Sequence, residues 1–293
     1  MSYILIITAV LLLAGDFVIS KLYQSRAGAS IVPSLFFNAI LGLSTAILIC
    51  MVRVVSGEIG PLFTPFSVLM ATGVAVAGVT YLLIGFRMLK AGKMAVYTLF
   101  LMTGGMVIPY VWGIFALNEK FSILRFVGLL FIIGGVICSN QKKESINKRY
   151  LLMGVCVFVL NGLLSIISKM HQIEVVQTTV STLSFVALTG ILKFILCTIA
   201  LIVVCRKQSQ TIKDIPVKTC LPIILVSAIV GGTSYLLQLI SAVNIPATLL
   251  YPLMTGGSVI FTAIAGRLFF KEKLSKMATI GIALCFVGTC MFL

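Results

Sequence analysis

A five-residue string, Leu101-Met102-Thr103-Gly104-Gly105, returns as Leu253-Met254-Thr255-Gly256-Gly257, each time in the fourth of five apolar runs. The match extends to both sides. Ile19-Ser20-Lys21-Leu22-Tyr23-Gln24 aligns with Ile167-Ser168-Lys169-Met170-His171-Gln172, Tyr81-Leu82-Leu83 with Tyr235-Leu236-Leu237, and Glu119-Lys120-Phe121 with Glu272-Lys273-Leu274. Matches kept in order along nearly the whole of both halves mark an internal duplication, which restricts the fold to one module built twice.

The module belongs in a membrane. With 60% hydrophobic and 10% charged residues and a mean hydropathy of +1.19, the 293 residues carry too little polar surface to cover a water-soluble globule. Ten apolar runs stand at 2–22, 32–55, 66–88, 94–117, 121–140, 150–169, 179–204, 219–241, 246–269 and 274–293. Runs of about 20 residues cross a hydrocarbon core of roughly 30 Å when helical. A membrane barrel would show short alternating strands instead. The expected fold is an all-α membrane protein of ten transmembrane helices. It divides into two five-helix repeats, 1–140 and 150–293, joined by a basic linker at 141–149. An odd number of spans per copy forces the copies into opposite orientations, so the repeats are expected to be inverted.

The first span lacks the basic leader and cleavage site of a secretory signal, and no lipidation motif is evident, so it is expected to stay as a helix. Eight scattered cysteines without CxxC spacing read as small packing residues, not as disulfides or metal ligands. No cofactor or metal is expected. The net charge of +15 sits at helix ends, where it meets anionic lipid headgroups, and no basic groove lined with stacking aromatics points to nucleic acid. Loops after the odd-numbered spans carry 17 of the 22 Lys and Arg, which by the positive-inside rule faces them to the cytoplasm and both termini outside.

Polar groups inside the helices are few and are therefore the functional candidates. Asp16 is the one acid within a predicted helix, and Lys193 lies near the centre of the seventh span, too deep to snorkel out. Tyr81 gains weight from its repeat partner Tyr235, three residues before the embedded amide Gln238; Tyr97 and Asn161 are further candidates. The glycines of the repeated string, with Pro109 in one copy and Pro252 in the other, can interrupt a helix and free carbonyls, as substrate-binding helices of transporters do, or can serve close packing. Thr103, Tyr251 and Thr255 on those helices complete a pocket set of Asp16, Tyr81, Tyr97, Thr103, Asn161, Gln238, Tyr251 and Thr255, with Asp16 and Lys193 assigned to coupling.

The order of these features, with Tyr251-Pro252-Leu253-Met254-Thr255-Gly256-Gly257 leading through Phe270-Lys271-Glu272-Lys273-Leu274 to Gly281 and Gly288, resembles the EamA type of the drug/metabolite transporter superfamily over almost all of the chain. The first copy departs at Asn118, where that turn often has glycine. The resemblance implies a secondary carrier of a small organic solute in the cell membrane, and it places both termini inside, against the charge rule. Small multidrug-resistance relatives carry an essential Glu eight residues before the Lys that ends the first helix; here those positions are Leu13 and Asn161. A metabolite carrier is therefore expected over a drug exporter, with Asp16 as a substitute acid one turn away.

Other readings fit less well. An embedded enzyme would need clustered chemistry, but the chain has one histidine, His171, read as a solvated helix-end residue, and no HExxH, GxSxG or Walker loop. A non-catalytic assembly subunit would use the small-residue faces at Gly73, Gly78, Gly128, Gly134 and Gly135 to bind another membrane protein, yet it leaves Asp16 and Lys193 unexplained. A homodimer stays open. For Asp16 two arrangements are expected to behave differently: alone in the cavity it can load and release protons, whereas paired with Lys193 it stays charged, and its replacement strands a buried cation.

Overall fold

The computed structural model describes residues 2–28, 30–91, 93–139, 147–207, 215–271 and 275–292. Among these residues ten helices follow one another: α1 Ser2–Ala27, α2 Ile31–Val55, α3 Pro65–Lys90, α4 Met94–Ala116, α5 Ile123–Ser139, α6 Lys148–Ile173, α7 Thr182–Lys207, α8 Val217–Asn244, α9 Ala247–Phe270 and α10 Lys276–Cys290. No strand occurs among the described residues. Each apolar run of the sequence is a helix, shifted at its ends by a few residues; α1 continues through the basic turn to Ala27, and α6 begins at Lys148. Residue 140 at the end of the first repeat, residues 141–146 of the expected linker, and Glu272, Lys273 and Leu274 lie outside the described residues.

Eight helices are long and apolar enough to cross a membrane, while α5 with 17 residues and α10 with 15 are shorter. These two pack on each other through glycines. A Cβ on Gly128 would lie 2.9 Å from the Gly288 carbonyl, and one on Gly135 would lie 2.5 Å from the Gly281 carbonyl. Antiparallel backbones approach this closely only where both partners lack side chains. Gly128 and Gly281 are repeat mates, as are Gly135 and Gly288, so the two contacts are one contact seen twice.

The same reciprocity holds elsewhere. Gly42 of α2 and Gly190 of α7 meet at a crossing where a Cβ on either would fall 2.7 Å from the other's carbonyl. Helix neighbours also exchange when every helix number is advanced by five: α2–α7, α4–α9 and α5–α10 map onto themselves, α1–α8 onto α3–α6, and α4–α6 onto α1–α9. Tyr23 lies against Phe37 with ring centroids 4.6 Å apart, and their repeat mates His171 and Phe185 stack at 3.8 Å. Such pairing is consistent with inverted repeats.

The repeated string is a packing device. α4 and α9 run as helices through Pro109 and Pro252. Gly104 lies on the backbone of Phe158 in α6, Gly105 on the Asn161 amide, and Gly257 on Val10 of α1. Pro109 has no N–H for the carbonyl four residues back, that of Gly105, and the Ser165 hydroxyl donates to it at 3.5 Å. At the end of α4, Asn118 takes a left-handed φ of 52°, a conformation that glycine adopts freely and asparagine tolerates, which explains the residue preference of this turn.

Candidate functional site

Helices α1, α2, α3, α6, α7 and α8 enclose a cavity of about 340 Å³ midway along their lengths. Most of its wall is apolar or glycine. Its polar groups are Asp16 from α1, Asn38 and Thr45 from α2, Tyr81 from α3, Thr189 and Lys193 from α7, and Tyr235 from α8. Gly231 makes room for the acid: a Cβ there would come within 2.9 Å of the Asp16 carboxylate. The Ser227 hydroxyl donates to Asp16 Oδ1 from the next turn of α8.

Lys193 faces the acid from the far side. The two charges act on each other across the cavity, but no direct ion pair joins them, and no side chain among the described residues hydrogen-bonds the Lys193 ammonium. Neither expected arrangement is met in full: Asp16 is not alone in the cavity, and it makes no direct pair with Lys193. Each charge borders the cavity and is half-buried there.

Charged side chains from α6 and from the turn after α4 gather at one end of the bundle. Here α6 ends, α8 ends and α9 begins, and the turn between α8 and α9 is gripped from both sides. Lys169, 3% exposed, donates to the carbonyls of Ala242 and of Ile245, the latter at 2.6 Å, so a cation meets the C-terminal end of α8. Glu119 accepts from the N–H groups of Ala247 at 2.6 Å and Thr248 at 2.8 Å, so an anion caps the start of α9. Ser168 and Tyr235 share a hydrogen bond of 3.0 Å just inside this clamp, and the Tyr251 hydroxyl donates to the Ser165 carbonyl at 2.6 Å. Lys21, the repeat mate of Lys169, is exposed at the opposite face.

Of the residues expected in a pocket, the structure brings Asp16 and Tyr81 together with Lys193 on the cavity wall. Tyr97, Thr103, Asn161, Gln238, Tyr251 and Thr255 lie off that wall. Several of them have other work: Thr103 donates to Leu99 O at 2.7 Å, Asn161 Nδ2 to Leu101 O at 2.7 Å, and Tyr97 packs on Gly85. His171 is not the solvated residue its helix-end position suggests. It is 2% exposed, stacked on Phe185, with Nε2 2.8 Å from Ser67 Oγ and Nδ1 3.0 Å from Gln172 Nε2. Sequence reasoning missed Asn38, Thr45, Thr189 and Ser227 as wall or support. It noted Glu119 and Lys169 only as repeated residues, although that repetition was the signal.

The described residues form an all-helical bundle with eight helices long and apolar enough to cross a membrane, and Asp16 and Lys193 stand on the wall of its mid-depth cavity, the architecture of a polytopic membrane protein. Residues 148–293 match the EamA-like transporter family. The chain belongs to this family, a family of membrane transporters of small molecules. A crystal structure of a protein superposes on it with a TM-score of 0.79 at 17% identity, covering 99% of this chain and 95% of its own, and so shares the fold. No curated protein matches the sequence.

Proposed function

We propose that this protein is a secondary active carrier that moves a small organic metabolite across the cell membrane by alternating access. The observation that carries the reading is the unequal state of two repeat mates: Lys169 is buried against the carbonyls of Ala242 and Ile245 at one end of the bundle, and Lys21 is exposed at the other. In the opposite state the roles exchange. Lys21 is drawn onto the carbonyls that end α3, Lys169 is released, and the cavity faces the other side. The inverted arrangement of residues 1–140 and 150–293 supplies two conformers of similar energy from one sequence plan.

Reconstituted protein is expected to catalyse counterflow of its solute between the inside and outside of proteoliposomes. A broad metabolite panel that yields no flux in either direction, with imposed gradients, overturns the carrier reading. Coupling is assigned to Asp16, the acid of the cavity. Asp16→Asn is expected to make accumulation insensitive to an imposed pH gradient, while exchange at saturating solute persists. Accumulation that stays pH-gradient dependent in this variant removes Asp16 from coupling.

The assembly-subunit reading loses its motive. Gly128 and Gly135 are used against α10, Gly73 and Gly78 against Ile167 and Leu164, and only Gly134 of that set has open space beside it.

A further inference from the structure

Two arginines far from the mid-depth cavity meet at one end of the bundle. Arg87 stands next to the last residue of the apolar span Pro65–Met88, and Arg149 is the second residue of the span Lys148–Ile173. Helices α3 and α6 are antiparallel neighbours, with Gly73 against Ile167 and Gly78 against Leu164. Carried to the helix ends, that register brings Arg87 level with Met153, one turn inward from Arg149. There Arg87, Ala91, Arg149, Tyr150 and Met153 border a surface pocket of about 270 Å³.

The pocket is built for an anion. No carboxylate lines it, and none among the described residues pairs with either guanidinium. Lys93 adds a third cation beside it, its Nζ 5.9 Å from the centre of the Tyr150 ring. Like charges gathered around one small space repel unless an anion joins them. The duplication does not account for the cluster, because the repeat mates of Arg87 and Arg149 are Ser241 and Met1, neither of which has a basic side chain. A guanidinium presents a planar fork of N–H donors that matches the oxygens of a phosphate, and basic pockets between helices at the ends of membrane spans suit phospholipid headgroups.

The surface beyond the pocket favours a lipid over a free anion. Arg149, Leu152, Cys156, Val159 and Leu163 recur at intervals of three, four, three and four residues, the spacing of one helix face, and all five are exposed. This face of α6 thus carries a cation at its outer end and then roughly 20 Å of apolar surface, at 1.5 Å per residue. Val76 and Thr80 share the exposed face of α3 with Arg87 in the same way. The pocket therefore opens on the lipid-facing side of the bundle, where a phosphate arrives with acyl chains attached.

We propose that this pocket binds an anionic phospholipid, its phosphate held between Arg87 and Arg149 and an acyl chain laid along α6 from Leu152 to Leu163. The site stands apart from the mid-depth cavity and does not depend on which solute enters there.

The test titrates the full chain in detergent with phosphatidylglycerol or with phosphatidylcholine of the same acyl chains, and reads the first binding step by native mass spectrometry. Phosphatidylglycerol is expected to bind roughly tenfold or more tightly, because choline brings a further cation to a cationic pocket. Replacing both arginines, Arg87→Gln with Arg149→Gln, is expected to weaken that step by about ten- to a hundred-fold, the effect of losing charge-assisted hydrogen bonds. Lys218→Gln with Arg267→Gln removes two exposed charges at the same end of the bundle but outside the pocket, and is expected to leave the step unchanged. Inorganic phosphate in excess is expected not to displace the lipid, since it lacks the chains. Equal affinity for the two lipids overturns the proposal, and so does an equal loss in the two double variants, which would mark a diffuse charge effect. Displacement by inorganic phosphate overturns it as well, by assigning the pocket to a free anion. The lipid series on the unaltered protein carries the test even where a variant does not fold. Because the readout is binding and not flux, each of these outcomes leaves the carrier reading standing.

Discussion

Glu119→Gln is expected to raise the alkylation rate of a cysteine placed at Thr248 by about ten- to a hundred-fold. Thr248 is 2% exposed and sits under the clamp, and its hydroxyl makes no hydrogen bond, so Thr248→Cys removes nothing that the fold uses. Glu119 offers two anionic oxygens to the adjacent N–H groups of Ala247 and Thr248. Glutamine offers one neutral oxygen and turns an NH2 group towards the other N–H. Loss of a charge-assisted hydrogen bond costs about 1.5–3 kcal/mol, and between two conformers that difference is a shift of roughly ten- to a hundred-fold. Peptide-resolved mass spectrometry after timed exposure to a membrane-impermeant thiol reagent separates this site from the eight native free cysteines. Equal rates with and without the Glu119→Gln substitution, both proteins being folded, would show that the clamp does not hold that face closed.

Gly135→Leu is expected to abolish folded protein, and Gly134→Leu, one residue away, to leave it intact. A Cβ on Gly135 would stand 2.5 Å from the Gly281 carbonyl and 2.8 Å from the Cys285 backbone nitrogen, and neither can yield unless α10 moves off α5. Nothing lies within 4 Å of a Cβ on Gly134. Even Gly135→Ala is expected to destabilise by about 1–3 kcal/mol, the range for overpacking a closed contact, because the displaced atoms are main chain. Melting temperature and the monodisperse fraction in size-exclusion chromatography report both variants. A stable Gly135→Leu would mean that α5 and α10 are not joined through their glycines.

Helices were legible in the residues because a membrane span needs a long apolar run, and a run of about twenty residues has one structural solution in lipid. The two charges of the cavity were legible for the converse reason: Asp16 and Lys193 interrupt runs that otherwise exclude charge, and both reach the cavity wall. Side-chain hydrogen bonds were not. Thr103 satisfies itself on its own helix at Leu99, and Asn161 finds a carbonyl 60 residues away, which no local pattern foretells. His171 and Lys169 mark the sharpest limit. At the end of an apolar run they look like headgroup-facing residues, yet contacts from α7, α8 and the turn into α9 bury both. Their repeat mates Tyr23 and Lys21 differ from each other in burial, the first enclosed and the second exposed, so position in the repeat sets the environment of one pair and conformation sets that of the other.

If conformation sets the burial of the two lysines, the two faces of the bundle open in turn, and amide hydrogen exchange tests this in a single experiment. Exchange is followed at two junctions, Ala242 to Thr248 between α8 and α9 and Met88 to Ala91 at the end of α3, in the unaltered protein and in Glu119→Gln, reconstituted in the same nanodiscs. Alternating access predicts opposite changes: weakening the clamp speeds exchange at the α8–α9 junction and slows it at the end of α3, because opening one face closes the other. Faster exchange at the first junction with no change, or a parallel rise, at the second would mean local fraying and would contradict a two-state carrier.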